Sequence, residues 1–279
     1  MRGLNVAVVD WSAASKPSPR RPSADAIWLG LCTDMGEVQH YRRTRAEAEG
    51  RLAEVIAEGE WLVGFDFPMG YPEGFAARLT GQPGASMVWN WLEARIKDGP
   101  DNCNNRFDLA AAINRRFGGG PFWGRPAGLD LPDLAARKSV DYPALGLPER
   151  RRVERVVPRA QPVWKLFTTG SVGSQALMGL PLVARLARRP DVAVWPFTAV
   201  RRVTLAEVYP SLLGPLVGAA PEIKDRAQVR LLARALHRLV RAGRLGSLLA
   251  DVPPDALPDE GWIIGAGHAA LLREAATWP

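Results

Sequence analysis

Two short runs, Leu4-Asn5-Val6-Ala7-Val8-Val9-Asp10 and Trp61-Leu62-Val63-Gly64-Phe65-Asp66, decide how this chain of 279 residues is read. Each is an apolar, β-forming stretch without polar alternation, the pattern of a strand covered on both faces, and each ends in a carboxylate. Between them, Ala26–Cys32 and Glu37–Tyr41 flank the turn-like Thr33-Asp34-Met35-Gly36 and read as a hairpin. Thr44 followed by Glu47 has the spacing of a capping box. It opens a helix with Leu52, Val55 and Ile56 on its apolar side, which Gly59 ends. Much later, Arg202–Tyr209 reads as a strand closed by Pro210, and Ile223–Val240 as a helix. Pro258–Ala275 reads as a last helix with proline in its first turn.

The expected order is β-β-β-α-β, then a large insertion over residues 72–200, then β-α-α. Inside the insertion, Phe75–Leu79, Met87–Ile96 and Ser174–Leu186 look helical, the last with Ser174 as its cap, while Asp101–Gly128 is turn-rich. A strand–helix–strand crossover is normally right-handed and parallel. With strands one, four and five as parallel neighbours, Asp10, Asp66 and Glu207 fall near their C-terminal ends, the edge where open α/β sheets bind ligands.

A single strand-end aspartate commonly bonds its own turn backbone. Three such acids in an otherwise basic chain point further. Carboxylates held together repel one another, which raises a pKa or demands a cation. Oxygen ligands without Cys or His select Mg²⁺ or Mn²⁺ over zinc. Two such ions would clamp the attacking and leaving oxygens of a phosphodiester.

These motifs carry a resemblance. VAVVDWSA, GFDFPMGYP, TLAEVYPSL and DEGWIIGAGHAALL resemble an uncharacterised ribonuclease-H-like family known as domain of unknown function 429. The pattern is a strand-end Asp (Asp10), a D-x-P-x-G loop (Asp66 to Gly70), an E-x-Y-P strand (Glu207 to Pro210) and an acid opening the last helix (Asp259 or Glu260). Gly170–Pro181 is similar to a Gly/Ser segment of the same family. The resemblance implies an α/β, ribonuclease-H-like mixed sheet of order 3-2-1-4-5 in one domain, 1–279, with the 72–200 insertion between strands four and five. It also implies a nuclease activity. Asp10, Asp66 and Glu207 would hold the metal, and Asp259 or Glu260 would complete the catalytic set. The family's last motif reads Asp-Ala, and here Asp259-Glu260-Gly261-Trp262 stands instead.

Composition narrows the field. Hydrophobic residues make up 47% and charged residues 23%, a globular mixture and not a disordered one. The formal net charge of +7 favours a polyanion, nucleic acid or a phosphorylated small molecule, as partner. Cys32 and Cys103 form no CxxC and the three histidines are scattered, so structural zinc is not expected. Two unclustered cysteines suit a reducing compartment. The N-terminal run meets Asp10 before a signal peptide can form, and no uncharged apolar run reaches membrane-spanning length, so a cytoplasmic protein is expected.

Candidate substrate contacts are Ser12 beside Asp10, Lys165, Ser171 and Ser174 in the glycine-serine segment, and Arg230 and Arg234. The last two belong to a stripe, Arg226 to Arg241, on the polar side of its helix, which could track a phosphate backbone or be a solvated face. Trp89, Trp91, Phe122 and Trp123 beside Arg115, Arg116 and Arg125 could stack bases or form a cluster under a loop. A nucleotide-handling phosphotransferase remains an alternative through Asp10-Trp11-Ser12, although the glycine-rich phosphate loop is missing. A catalytically silent binding module is the third reading.

Overall fold

In the computed structural model, which describes residues 3–157, 159–256 and 258–278, the two apolar runs lie side by side at the middle of a mixed sheet. Met1, Arg2, Pro158, Leu257 and Pro279 of the expected 1–279 span lie outside the described residues. The strands are β1 (Asn5–Asp10), β2 (Ile27–Thr33), β3 (Gly36–Arg42), β4 (Trp61–Phe65), β5 (Val192–Val194) and β6 (Val203–Glu207), in the order β3-β2-β1-β4-β6-β5. β1, β2 and β3 pair antiparallel, while β4 pairs parallel with β1 and β6, and β5 parallel with β6. The expected hairpin closes through Asp34 and Met35 alone. β5 is an addition at the sheet edge. Three residues are too few to show a period of two, so nothing in its sequence marked it.

The helices are α1 (Arg45–Val55), α2 (Phe75–Thr80), α3 (Ala85–Glu93), α4 (Arg106–Phe117), α5 (Tyr142–Leu145), α6 (Val153–Val156), α7 (Val172–Ala187), α8 (Gly214–Ala219), α9 (Lys224–Arg241), α10 (Leu245–Ala250) and α11 (Ala269–Thr277). They bury the sheet from both sides, which is why the interiors of β1, β2 and β4 are apolar. Successive side chains of a strand point to opposite faces. Ala7, Val9, Val63, Phe65 and Leu205 therefore pack with Leu52 of α1, Trp89 of α3 and Leu177 of α7. Val6, Val8, Leu62, Ala206 and Val208 pack with Val229, Leu232 and Leu236 of α9 and Leu272 of α11. The insertion is continuous with the first layer. Tyr71, Phe75, Phe122 and Trp164, all fully buried, join its aromatic rings to the same core.

One helix was not expected, and two expected helices differ in the structure. α4 lies in a region read as turns, because the polar run before Asn105 hid the pattern Leu109, Ala110, Ile113, Phe117 behind it. α7 begins at Val172 with Ser171 at its cap position, and Ser174 sits in the first turn instead of capping it. The last helix begins at Ala269, not at Pro258, because Gly261, Gly265 and Gly267 take left-handed φ angles of 71°, 81° and 81° that a helix cannot hold. Ile263 meanwhile bridges Glu207 in parallel and extends the line of β6.

The closest approach of α9 to the sheet is at Gly30 of β2. A Cβ there would stand 2.5 Å from the carbonyl oxygen of Val229, inside the backbone of the helix. Gly30→Ala is therefore expected to destabilise the protein by about 1–3 kcal/mol, the range for overpacking that moves backbone. A urea melt checks this through a lower midpoint at unchanged slope.

Candidate active site at the ends of β1 and β4

β1 ends at Asp10, and the chain leaves β4 at Asp66, whose backbone N–H donates to the Val9 carbonyl at 3.2 Å. The register Val9↔Phe65 thus sets Asp10 and Asp66 level on neighbouring parallel strands. Asp66 is held on both oxygens. Trp11 N–H donates to Oδ1 at 2.8 Å, and Gln175 Nε2 donates to Oδ2 at 3.4 Å and to the Trp11 carbonyl at 2.5 Å. The two carboxyl groups lie close enough that each perturbs the ionisation of the other. Burial, and then the charge of Asp66, pushes Asp10 well above the ordinary carboxylate range. Burial lifts Asp66 to about 6, against the lowering effect of the Asp10 and Trp11 hydrogen bonds.

A further acid bears on both, and the sequence reading did not name it. Asp225, in the first turn of α9, is buried and raises the pKa of Asp10 and of Asp66. Its Oδ2 accepts the Asp25 backbone N–H at 2.6 Å, and burial raises its own pKa. An acid in a first helical turn ordinarily answers the helix dipole, so only the packing of α9 against β1 reveals this one.

Glu207 does not join this pair, contrary to expectation. Its register partner is Phe65, which places it in the row of Val9 and Phe65, while Val208 shares the row of Asp10 and Asp66. One residue of register turns a side chain to the opposite face. There Glu207 forms a two-pronged pair with the fully buried Arg151, Nη2–Oε1 2.7 Å and Nη1–Oε2 2.8 Å, and accepts the Met69 N–H at 3.0 Å. Arg151 also holds Glu154 and the Glu260 carbonyl.

Asp259 and Glu260 belong to the same structural knot and not to the first turn of a helix. Asp259 accepts the N–H groups of Gly74 and Gly84, and Glu260 those of Glu73 and Arg152. Gly70 permits the crossing, since a Cβ there would meet the carbonyl oxygens of Asp259 and Glu260 at 2.3 Å.

Among the described residues, no three His, Cys, Asp or Glu side chains are gathered as a metal cage. Two carboxylates remain, Asp10 and Asp66. That is the usual protein share of a Mg²⁺ site, where water and substrate phosphate supply the other ligands. Their desolvation and mutual repulsion are what a hard cation would offset, so these residues fit such an ion.

The expected substrate contacts are dispersed. Ser12 lies at the rim of the acids, its hydroxyl accepting the Ala14 N–H and pointing to the Asp25 carbonyl. Lys165 donates to the Thr169 carbonyl at 2.6 Å. The Ser171 carbonyl accepts the Ser174 N–H, and the Ser174 hydroxyl donates to the Leu166 carbonyl at 2.6 Å. The Gly173 N–H is likewise spent on the Lys165 carbonyl, so the segment forms no anion cradle.

The arginine stripe on α9 turns inward to acids. Arg226 and Arg230 pair with Glu222, Arg234 with Glu37, and Arg241 with Asp34 in the hairpin turn. The Glu37 and Asp34 pairs fasten α9 to the β2–β3 hairpin, and Arg230 and Arg234 each hold a carboxylate through Nε and Nη groups. Trp89 and Phe122 are core residues, not stacking platforms. Sequence reasoning also missed Arg106, a buried arginine at the start of α4 bonded to Ser15 and Ser174.

Comparison of the chain with protein-family models, curated proteins and solved structures gave no match. Among the described residues, no helix is long and apolar enough to cross a membrane.

Proposed function

We propose that this protein is a Mg²⁺- or Mn²⁺-dependent phosphodiester hydrolase, a nuclease, built on a ribonuclease-H-like sheet. One observation carries the reading: the buried Asp10 and the half-buried Asp66 form a mutually perturbing carboxyl pair at the ends of adjacent parallel strands, with Asp225 beside them. The strand order and the resemblance of the Asp10 and Asp66 motifs to domain of unknown function 429 support it. Asp10 and Asp66 would hold the ion. A bound divalent ion would supply an acidified water and offset phosphate charge. Gln175 and the Trp11 N–H fix the orientation of Asp66, and the buried Trp11 ring keeps bulk water from its back. Asp225 adds negative charge that strengthens the pair's attraction for a cation. The inward pairing of the α9 arginines removes the main support for a silent binding module.

The test is a thermal melt with millimolar Mg²⁺, Mn²⁺ or EDTA, alongside cleavage of end-labelled single-stranded DNA and RNA. Stabilisation by either ion, with cleavage that EDTA stops, is the expected result. A melting temperature indifferent to both ions would overturn the reading.

A further inference from the structure

Three arginines are buried among the described residues: Arg45, Arg106 and Arg151. Arg45 forms a two-pronged pair with Asp98, and Arg151 is bonded to Glu154 and Glu207. Arg106 is 8% exposed, yet among the described residues no carboxylate pairs with its guanidinium. Its partners are neutral. Nε donates to Ser174 Oγ at 3.1 Å, and Nη1 donates to Ser15 Oγ at 2.8 Å and Asn104 Oδ1 at 2.7 Å. Nη2 makes no hydrogen bond to the described residues and is not sealed from solvent. The charge of Asp98 reaches it but is committed to Arg45, and a buried cation short of counter-charge is disfavoured unless an anion arrives to meet it.

The partners of Arg106 tie it to the two segments that hold the acids. Ser15 belongs to the loop that leaves Asp10, and Ser174 immediately precedes Gln175, which holds Asp66. The head is also immobilised. Ser174 donates its own proton to the Leu166 carbonyl, so its oxygen faces Nε as an acceptor, and Asn104 Nδ2 is tied to the Asn102 carbonyl. A fork fixed on two edges, with its third nitrogen open, is preorganised for an oxyanion. Burial, and then the charge of Arg45, lowers its pKa to about 10, which leaves it cationic at neutral pH.

We propose that Arg106 is a phosphate-binding residue that receives a substrate phosphate next to the Asp10–Asp66 pair. The choice of phosphate as the anion rests on the hydrolase reading above. The shared chemistry is a phosphate oxyanion, either a phosphodiester of a nucleic acid or the phosphate of a nucleotide.

The test titrates inorganic phosphate into the full chain in EDTA, at ionic strength held constant with sodium chloride, and reads thermal stability and binding heat. Wild type should be stabilised by phosphate. Arg106→Gln should bind it at least about tenfold more weakly, as expected for losing charge-assisted hydrogen bonds. Without phosphate the variant should melt no lower than wild type, since an uncompensated charge has been removed. If Arg106→Gln fails to fold, Arg106→Lys gives the same reading, because a point charge cannot replace the fork and must also bind more weakly.

A short single-stranded oligonucleotide and a nucleoside 5′-monophosphate serve as further arms, and the one whose binding depends on Arg106 names the source of the phosphate. A wild type without a phosphate response, or variants that bind phosphate as well as wild type, would overturn the proposal. The metal response of Arg106→Gln is read separately with Mg²⁺. It should persist, so a failure of this site and a failure of the hydrolase reading are told apart.

Discussion

Glu207→Ala is expected to destabilise the protein by about 3–5 kcal/mol, because it leaves the guanidinium of Arg151 buried with a partner missing. The Met69 N–H loses its acceptor in the same step. A urea melt measures the loss. Pairing the change with Arg151→Met and Glu154→Leu separates charge from packing: the triple variant Glu207→Leu/Arg151→Met/Glu154→Leu should recover most of the lost stability, since a hydrophobic replacement of a whole buried ion triad is often neutral, whereas Arg151→Met alone would strand Glu154. Had Glu207 been a metal ligand, its removal would instead abolish the response to Mg²⁺ and spare the fold. The two roles predict opposite columns of the same experiment.

Asp10→Asn should act in the other direction. Both carboxyls bind their protons more tightly in the folded chain than in the unfolded one, with Asp66 moved from 3.8 to about 6 and Asp10 shifted in the same direction. Between these values the folded state holds more protons than the unfolded state, so stability falls as pH rises. The strain from Asp66 is therefore absent below about pH 4 and develops as pH rises through about 6, and Asp10 adds to it in the same direction. For Asp66 alone the shift corresponds to about 3 kcal/mol.

An asparagine at position 10 donates a permanent N–H to Asp66 and removes one titration. The variant should lose most of the decline in stability between pH 4 and 8, and should gain about 1–3 kcal/mol at pH 8 without metal. The same change should cancel stabilisation by Mg²⁺, which for wild type reaches about 2.7 kcal/mol when the ion is at about a hundred times its Kd. Melts across pH, with and without the ion, check both. If Asp10 did no more than cap its turn, variant and wild type would melt together at every pH, since Asn caps about as well as Asp.

The central strands and their terminal acids were legible because β1 and β4 are buried on both faces, and such strands announce themselves as unbroken apolar runs. The hairpin and α9 were legible for equally local reasons, a two-residue turn and a long amphipathic period. Glu207 was misplaced by register. That it stands at a strand end is visible in the chain, but which face it takes depends on which residue of β4 it meets, and Phe65 lies 142 positions away. The α9 arginines show the same limit, because Glu37 and Asp34, which neutralise two of them, come from a hairpin at the far end of the chain. Asp225 and Arg106 each look like ordinary first-turn helix residues. What singles them out is burial, one against β1 and the other without a counter-ion, and burial arises only when the insertion and α9 dock.

The covering of the sheet by α9 has a consequence for the order in which the chain can mature. The strands whose Val6, Val8, Trp28 and Leu62 face α9 are complete once Phe65 has been made, whereas α9 begins only at Lys224. At ordinary translation speeds, roughly 160 residues separate these events, or about ten to thirty seconds. Through that interval an apolar sheet face lacks its own cover while the nascent chain grows. The acid at the start of α9 arrives with the cover. The chain thus completes its acidic centre at the moment it stops being sticky, and its dependence on chaperones during synthesis should end with the docking of that one helix.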